Sequence, residues 1–182
     1  MRPRSGFLLI LMLAFPLAPA AAEATGSCLK QVFDDYCLGG SMRQLLQRRP
    51  GGIPAQHDGE RSAVVYLHGR ERTYVMAYQG RIYKILHTFE PANQLKLKEL
   101  RQRLEAKYGP YRDLSHYPGY ARSLATKIGA IRRGDGELRH SWQSQDGSWR
   151  IELAWTRKLG ISLAYLANEL DARQREALDS GL

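Results

Sequence analysis

The sequence predicts an α+β fold in which antiparallel sheet, as one layer or two, is packed by helices. Three observations predict it. Two groups of three short segments, within 62–89 and 138–166, carry the period-two apolar alternation of strands. Gln79-Gly80 and Asp146-Gly147 fall between members of these groups as two-residue hairpin signals. Leu97, Leu100 and Leu104, spaced for one face of a helix, separate the groups. The order reads as an αβββ–αβββ pseudo-repeat with a short C-terminal helix, visible as topology only. The expectation is one α+β domain over 25–182, with topological halves 28–89 and 90–182.

Residues 1–24 are expected to be an export signal and no part of that fold. Arg2 and Arg4 precede the apolar run Phe7 to Phe15, which is too short for a hydrocarbon layer of about 30 Å, and Ala-x-Ala frames follow. Cleavage is expected after Ala24, with Ala22 the next choice. No later apolar run reaches spanning length, so no transmembrane span is expected. The full chain carries a net charge of +9; removing two arginines and one glutamate with the signal leaves +8. In the cytosol such a balance would suggest nucleic acid. Export instead points to an acidic protein surface or an anionic envelope glycan or lipid, and not to cytosolic nucleic acid.

Export also decides the reading of Cys28 and Cys37. In an oxidising compartment a disulfide is the default. No His lies at metal-site spacing from either, and their spacing is not Cys-x-x-Cys. Thr25 stands where a lipid-anchor motif at Cys28 wants an apolar residue. The segment Leu29 to Tyr36 reads as helix, yet a straight helix would hold the two cysteines about 13.5 Å apart along its axis. A bridge needs Cα atoms within about 7 Å. If the bridge forms, no unbroken helix can run from Cys28 to Cys37.

Ser41-Met42-Arg43-Gln44 is a capping box that opens a short helix, Met42 to Gln47. Arg49-Pro50-Gly51-Gly52 stops it, and residues 50–60 read as loop. Strands follow at Ser62–His68, Thr73–Tyr78 and Arg81–Phe89. In the third, alternation assigns Tyr83, Ile85, His87 and Phe89 to the core. Pro91 is read as the first residue of a helix that ends at Gly109-Pro110. Residues 110–136 look irregular, with a short helix around Ala121 to Ile128. Strands at Leu138–Gln143, Trp149–Trp155 and Ile161–Leu166 complete the second group. A capping box at Asp171-Ala172-Arg173-Gln174 opens the terminal helix, with Glu169/Arg173 and Asp171/Arg175 as i, i+4 pairs. In architecture the layout is similar to the tandem helix-plus-sheet units of beta-lactamase inhibitor proteins and related envelope proteins. No motif carries the likeness, so no residue role follows from it.

The sequence holds no Gly-x-Ser-x-Gly, His-Glu-x-x-His or Ser-x-x-Lys, and Gly129 to Gly134 lacks the ending of a phosphate loop. No catalytic residue, cofactor or metal is expected. His57, His68, His87, His116 and His140 are scattered, and His87 and His140 fall on apolar strand faces as hydrogen-bonded, half-buried residues. Trp142, Trp149 and Trp155 are placed in a core strip, with an exposed platform for sugar rings as the alternative. The segment 110–136 is the candidate binding region, through Tyr111, Arg112, Tyr117, Tyr120, Arg122, Arg132 and Arg133. Tyr and Arg are enriched in binding hot spots, and Arg matches carboxylate and phosphate forks. The function expected is an exported, non-enzymatic binding or accessory protein, inhibitor-like or immunity-like toward a protein, or glycan- or lipid-binding. A hydrolase with a dispersed His/Glu/Tyr site and a structural envelope component are the alternatives.

Overall fold

The structure, a computed structural model, describes residues 27–33 and 35–180, with Gln56 and His57 as backbone only. The export-signal expectation for 1–24 lies outside the described residues. The elements are β1 (Lys30–Val32), β2 (Tyr36–Leu38), α1 (Met42–Arg48), β3 (Ile53–Asp58), β4 (Arg61–His68), β5 (Glu71–Tyr78) and β6 (Arg81–Phe89). Then come α2 (Gln94–Tyr108), β7 (Arg112–Asp113), α3 (Leu124–Arg133), β8 (Leu138–Gln143), β9 (Trp149–Thr156), β10 (Gly160–Ala167) and α4 (Asn168–Ser180). This is an α+β fold with two antiparallel sheets, one of two strands and one of eight in the order β3-β4-β5-β6-β10-β9-β8-β7. Each half contributes four strands to the large sheet, not three.

Cross-strand partners share a face. One such row runs Val64, Val75, Ile85, Tyr165, Ile151 and Trp142 across six strands. On that face β1–β2 and α1 cover β4–β6, through Val32, Tyr36, Leu38, Met42 and Leu45. Helices α2 and α3 cover β8–β10, through Leu100, Leu104, Ile128 and Ile131. Phe33 packs against both clusters and closes the gap between the two covers. Trp142 is 2% and Trp155 6% exposed, so these two are core, while Trp149 is half-buried, packed against both clusters with the Lys30 ammonium 5.2 Å from its ring centre.

Five expectations are corrected. The expected helix over 29–36 is replaced by strands β1 and β2, paired with Gln31 opposite Cys37, and by a turn at Phe33, where φ is +48°. Cys28 precedes β1 and bridges to Cys37 with Cα atoms 5.4 Å apart, a geometry that a helix forbids. A Cβ on Gly40 would meet the Cys37 Sγ at 2.8 Å, so the glycine lets the chain turn tightly over the bridge. Residues 53–58 are strand β3, not loop; Pro54 misleads because proline is tolerated on an edge strand.

In β6 the strict alternation fails. Met76 faces Lys84 and Ala77 faces Ile82, leaving Tyr83 as an extra residue in the ladder. This bulge moves Ile82 onto the core face and turns Tyr83 to the other, where its hydroxyl donates to the Met76 sulfur at 3.8 Å. Finally, α2 starts at Gln94 behind an Asn93 cap, whose side chain accepts from the Lys96 N–H at 2.9 Å, and the Glu90-Pro91 bond is cis. Helix α4 likewise begins at Asn168, three residues before the expected cap.

Helix α4 packs against β6 and β10. Arg150 holds it there: Nη2 donates to Asp171 at 2.7 Å, Nη1 to Asn168 at 2.8 Å and Nε to Glu152 at 2.9 Å. Asp171 is buried and also accepts from Arg175 at 3.0 Å. On the core face, a second row sets Tyr66, Thr73, His87, Leu163, Leu153 and His140 side by side. His140 is buried; its Nδ1 has no hydrogen-bond partner and Tyr111 stacks on the ring at 3.9 Å. Burial pushes the His140 pKa down, only partly offset by Asp113, 4.0 Å from Nε2.

Three outcomes follow for stability. Replacing Cys28 and Cys37 by Ser lowers unfolding free energy by about 2.5–3 kcal/mol, from the entropy of a ring of about ten residues, read by urea denaturation. Arg150→Ala leaves the buried Asp171 carboxylate with only the exposed Arg175 and costs about 2–3 kcal/mol by the same measurement, whereas Arg173→Ala, an exposed pair, costs under about 1 kcal/mol. His140 folds neutral, so its contribution is full above an unfolded pKa of about 6.5 and is lost as pH falls through the lower folded value. His140→Phe keeps the stack on Tyr111 and gives a flatter stability profile between about pH 7 and 5. An unchanged slope would show that His140 is not the titrating group.

Candidate functional site

The segment 110–136 is short strand, β-bridge and helix instead of irregular loop. Arg112 lies on β7, the two-residue edge strand, and His116 pairs with Glu137 as an isolated bridge. Ser123 caps α3, with the Ser123 and Thr126 side chains each accepting from the other's N–H. This capping box makes the expected short helix longer and places it three residues later.

The seven predicted binding residues do not form one patch. Tyr111 lies flat on His140 and is half-buried. Tyr120 donates to Asp135 at 2.8 Å and accepts from Arg133 Nη2 at 2.9 Å, so Arg133 is neutralised locally. Arg122 stands before the first turn of α3 and Arg132 in its last turn, about 15 Å apart along a ten-residue helix. Arg112, Arg122 and Arg132 are exposed.

Tyr117 is different, for it lines a groove of about 210 Å³ between α2 and α3. Leu138, Trp155, Ile128 and Ile131 form the floor, and Leu97 and Leu124 flank it. Lys98 and Arg101 from α2 and Lys127 from α3 stand at the rim, with the Lys127 ammonium 5.0 Å from the Tyr117 ring centre. Burial raises the Tyr117 phenol pKa, keeping it a neutral hydrogen-bonding group.

The rim cations are distinguished by what they lack. Lys96 and Arg103 each bind Glu99, at 2.9 Å. Lys98, Arg101 and Lys127 make no ion pair among the described residues. Helical spacing contains this signal, since Lys96, Glu99 and Arg103 share a stripe at i, i+3 and i+4 while Lys98 and Arg101 lie off it. An apolar floor under cations that make no ion pair among the described residues can hold an apolar group flanked by negative charge. A larger groove of about 690 Å³ between α1 and the β3–β4 edge is lined mainly by apolar residues such as Leu46, Pro54 and Val64.

Among the described side chains, the one histidine with a reaction-like set of partners is His87. His87 Nδ1 is 2.9 Å from the Thr73 hydroxyl and Nε2 is 3.1 Å from Glu71, an order of groups seen in nucleophile–base–acid chains. Thr73 is 1% exposed, so no substrate reaches its oxygen, and the trio ties β5 to β6 from the core out to the half-exposed Glu71. Among the described residues no three His, Cys, Asp or Glu side chains cluster as metal ligands, and no helix is long and apolar enough to cross a membrane.

No family model matches the chain, and no curated protein matches it. Among solved structures, the chain is similar to a cysteine-rich secretory protein from Staphylococcus aureus subsp. aureus Mu50, at 12% identity and a TM-score of 0.39. The match covers 72% of this chain and 44% of that one, so the chain spans under half the length of the protein it matches.

Proposed function

We propose that the protein is an exported, non-enzymatic binding protein that holds an acidic protein partner against its α2–α3 face. The observation that carries the reading is the groove floored by Trp155 and Leu138 and rimmed by the unpaired Lys98, Arg101 and Lys127. Its volume of about 210 Å³ is below the range of roughly 300–1,000 Å³ usual for small-molecule sites. That size suits one apolar side chain of a partner, with acidic neighbours meeting the rim. A glycan or lipid would need more room or a longer furrow. Arg112, Arg122 and Arg132 add to the positive field around this contact, and Tyr111, Tyr120 and Arg133 brace the segment that carries Tyr117. The disulfide supports an oxidising location, and the charge and apolar pattern of residues 1–24 support export to the periplasm or beyond.

The test is capture of partners from envelope extract at low and high salt, with mass spectrometry of what elutes. A specific partner is held at about 50 mM salt and largely released at about 500 mM. The triple variant Lys98→Glu, Arg101→Glu, Lys127→Glu loses it by on the order of a hundredfold or more in affinity. Replacing Arg112, Arg122, Arg132 and Arg133 by Ala weakens it less. A partner retained equally by the triple variant would show that the groove is not the contact.

A further inference from the structure

The sheet face opposite the core carries a second basic cluster, built by different strands from those beneath the groove. The β4–β5 turn supplies Arg70, β5 supplies Arg72, and the β9–β10 turn supplies Arg157 and Lys158, all lining one cavity of about 320 Å³. Strands β5, β6 and β10 are adjacent in the sheet. Their spacing sets the two sides of this cavity about 10 Å apart, within reach of long basic side chains from both. Thr88 and Tyr74 stand between them on β6 and β5. The Thr88 hydroxyl is occupied, accepting from the Arg72 N–H at 3.0 Å. The Tyr74 hydroxyl has no partner among the described residues.

The cations here have few acidic partners. Arg49, Arg61, Arg133, Arg139 and Arg173 each meet a carboxylate. Arg70, Arg72 and Lys158 meet none among the described residues, and Arg157 spends one N–H on the Arg133 carbonyl at 2.8 Å. Glu90 is the one carboxylate in the lining, which leaves an excess of three positive charges. Four cations converging from three segments repel one another, and a bound multivalent oxyanion relieves that repulsion. Guanidinium forks match tetrahedral oxyanions in geometry as well as charge.

We propose that this cavity is an anion site for a phosphate monoester, either a soluble one or the head group of a lipid. The walls are cationic and hydroxylic instead of apolar, so recognition falls on the phosphate and not on an acyl chain. The volume lies at the lower end of small-molecule sites, enough for a phosphate carrying a small polyol. The proposal stands whether or not the α2–α3 groove binds a protein, because the two sites share no residue.

The experiment uses the disulfide-bonded exported chain. Glycerol 3-phosphate is titrated calorimetrically at constant ionic strength, and flotation is measured with phosphatidic acid vesicles against phosphatidylcholine vesicles. Wild type binds one or both phosphate ligands. The variant Arg70→Gln, Arg72→Gln, Lys158→Gln, all exposed positions, weakens binding about tenfold or more with an unchanged thermal midpoint. The groove variant Lys98→Gln, Lys127→Gln changes it less than about twofold. Binding of glycerol 3-phosphate assigns a soluble monoester. Binding to phosphatidic acid vesicles alone, lost in the triple variant, assigns the lipid head group. If neither ligand binds, or the triple variant binds as wild type does, the proposal is overturned.

Discussion

Everything in the fold is arranged around the pairing of β6 with β10. Its register, from Ile161 opposite Phe89 to Leu166 opposite Lys84, joins two four-stranded runs that are otherwise local in sequence. Once those strands are in register, Ile85 and Tyr165 point the same way, and so do His87 and Leu163. The apolar faces of both halves then form one surface, and the covers must lie on the same side. That is why the β1–β2 hairpin and α1 share a layer with α2 and α3, and why Phe33 sits where the two covers meet. The chain after β10 passes to the opposite side, where Arg150 anchors α4 through Asp171 and Asn168.

Much of the large sheet was legible because its strands are amphipathic and their turns carry Gly. Arg81–Phe89 matches its expected bounds, and the faces assigned to Trp149, Ile151, Leu153 and Trp155 are those observed to be buried or half-buried. What misled was local pattern overridden by something distant. Residues 29–36 look helical in isolation, but Val32, Tyr36 and Leu38 reach the core only as a hairpin tied by the disulfide. Alternation in β6 broke at Tyr83 because a bulge is a property of two strands, not one. Pro54 disguises an edge strand, and the Ser123–Thr126 cap follows a Pro118-Gly119 turn signal that masks the helix start.

The candidate sites divide in the same way. Tyr117 could be singled out from sequence, and the stripe that neutralises Lys96 and Arg103 through Glu99 could have exposed Lys98 and Arg101 by subtraction. No pattern within one segment could have joined Lys98 to Lys127, or Arg70 to Lys158, because each pair meets only through the sheet order. Residue type alone does not show what these side chains already contact: Tyr120, Arg133 and Asp135 satisfy one another, and Tyr111 stacks on His140.

The two ends of the large sheet differ from its middle in a way that bears on self-association. An open sheet of eight strands offers two rows of unpaired backbone groups, each a template for another chain. Here β7 is only two residues long. At the other end, β3 carries a proline with no N–H to offer and a register shift between Pro54 and Gln56. Neither margin presents a long, regular ladder to an incoming strand. Both margins are therefore poor templates for a ninth strand, where a long unbroken edge would be a good one.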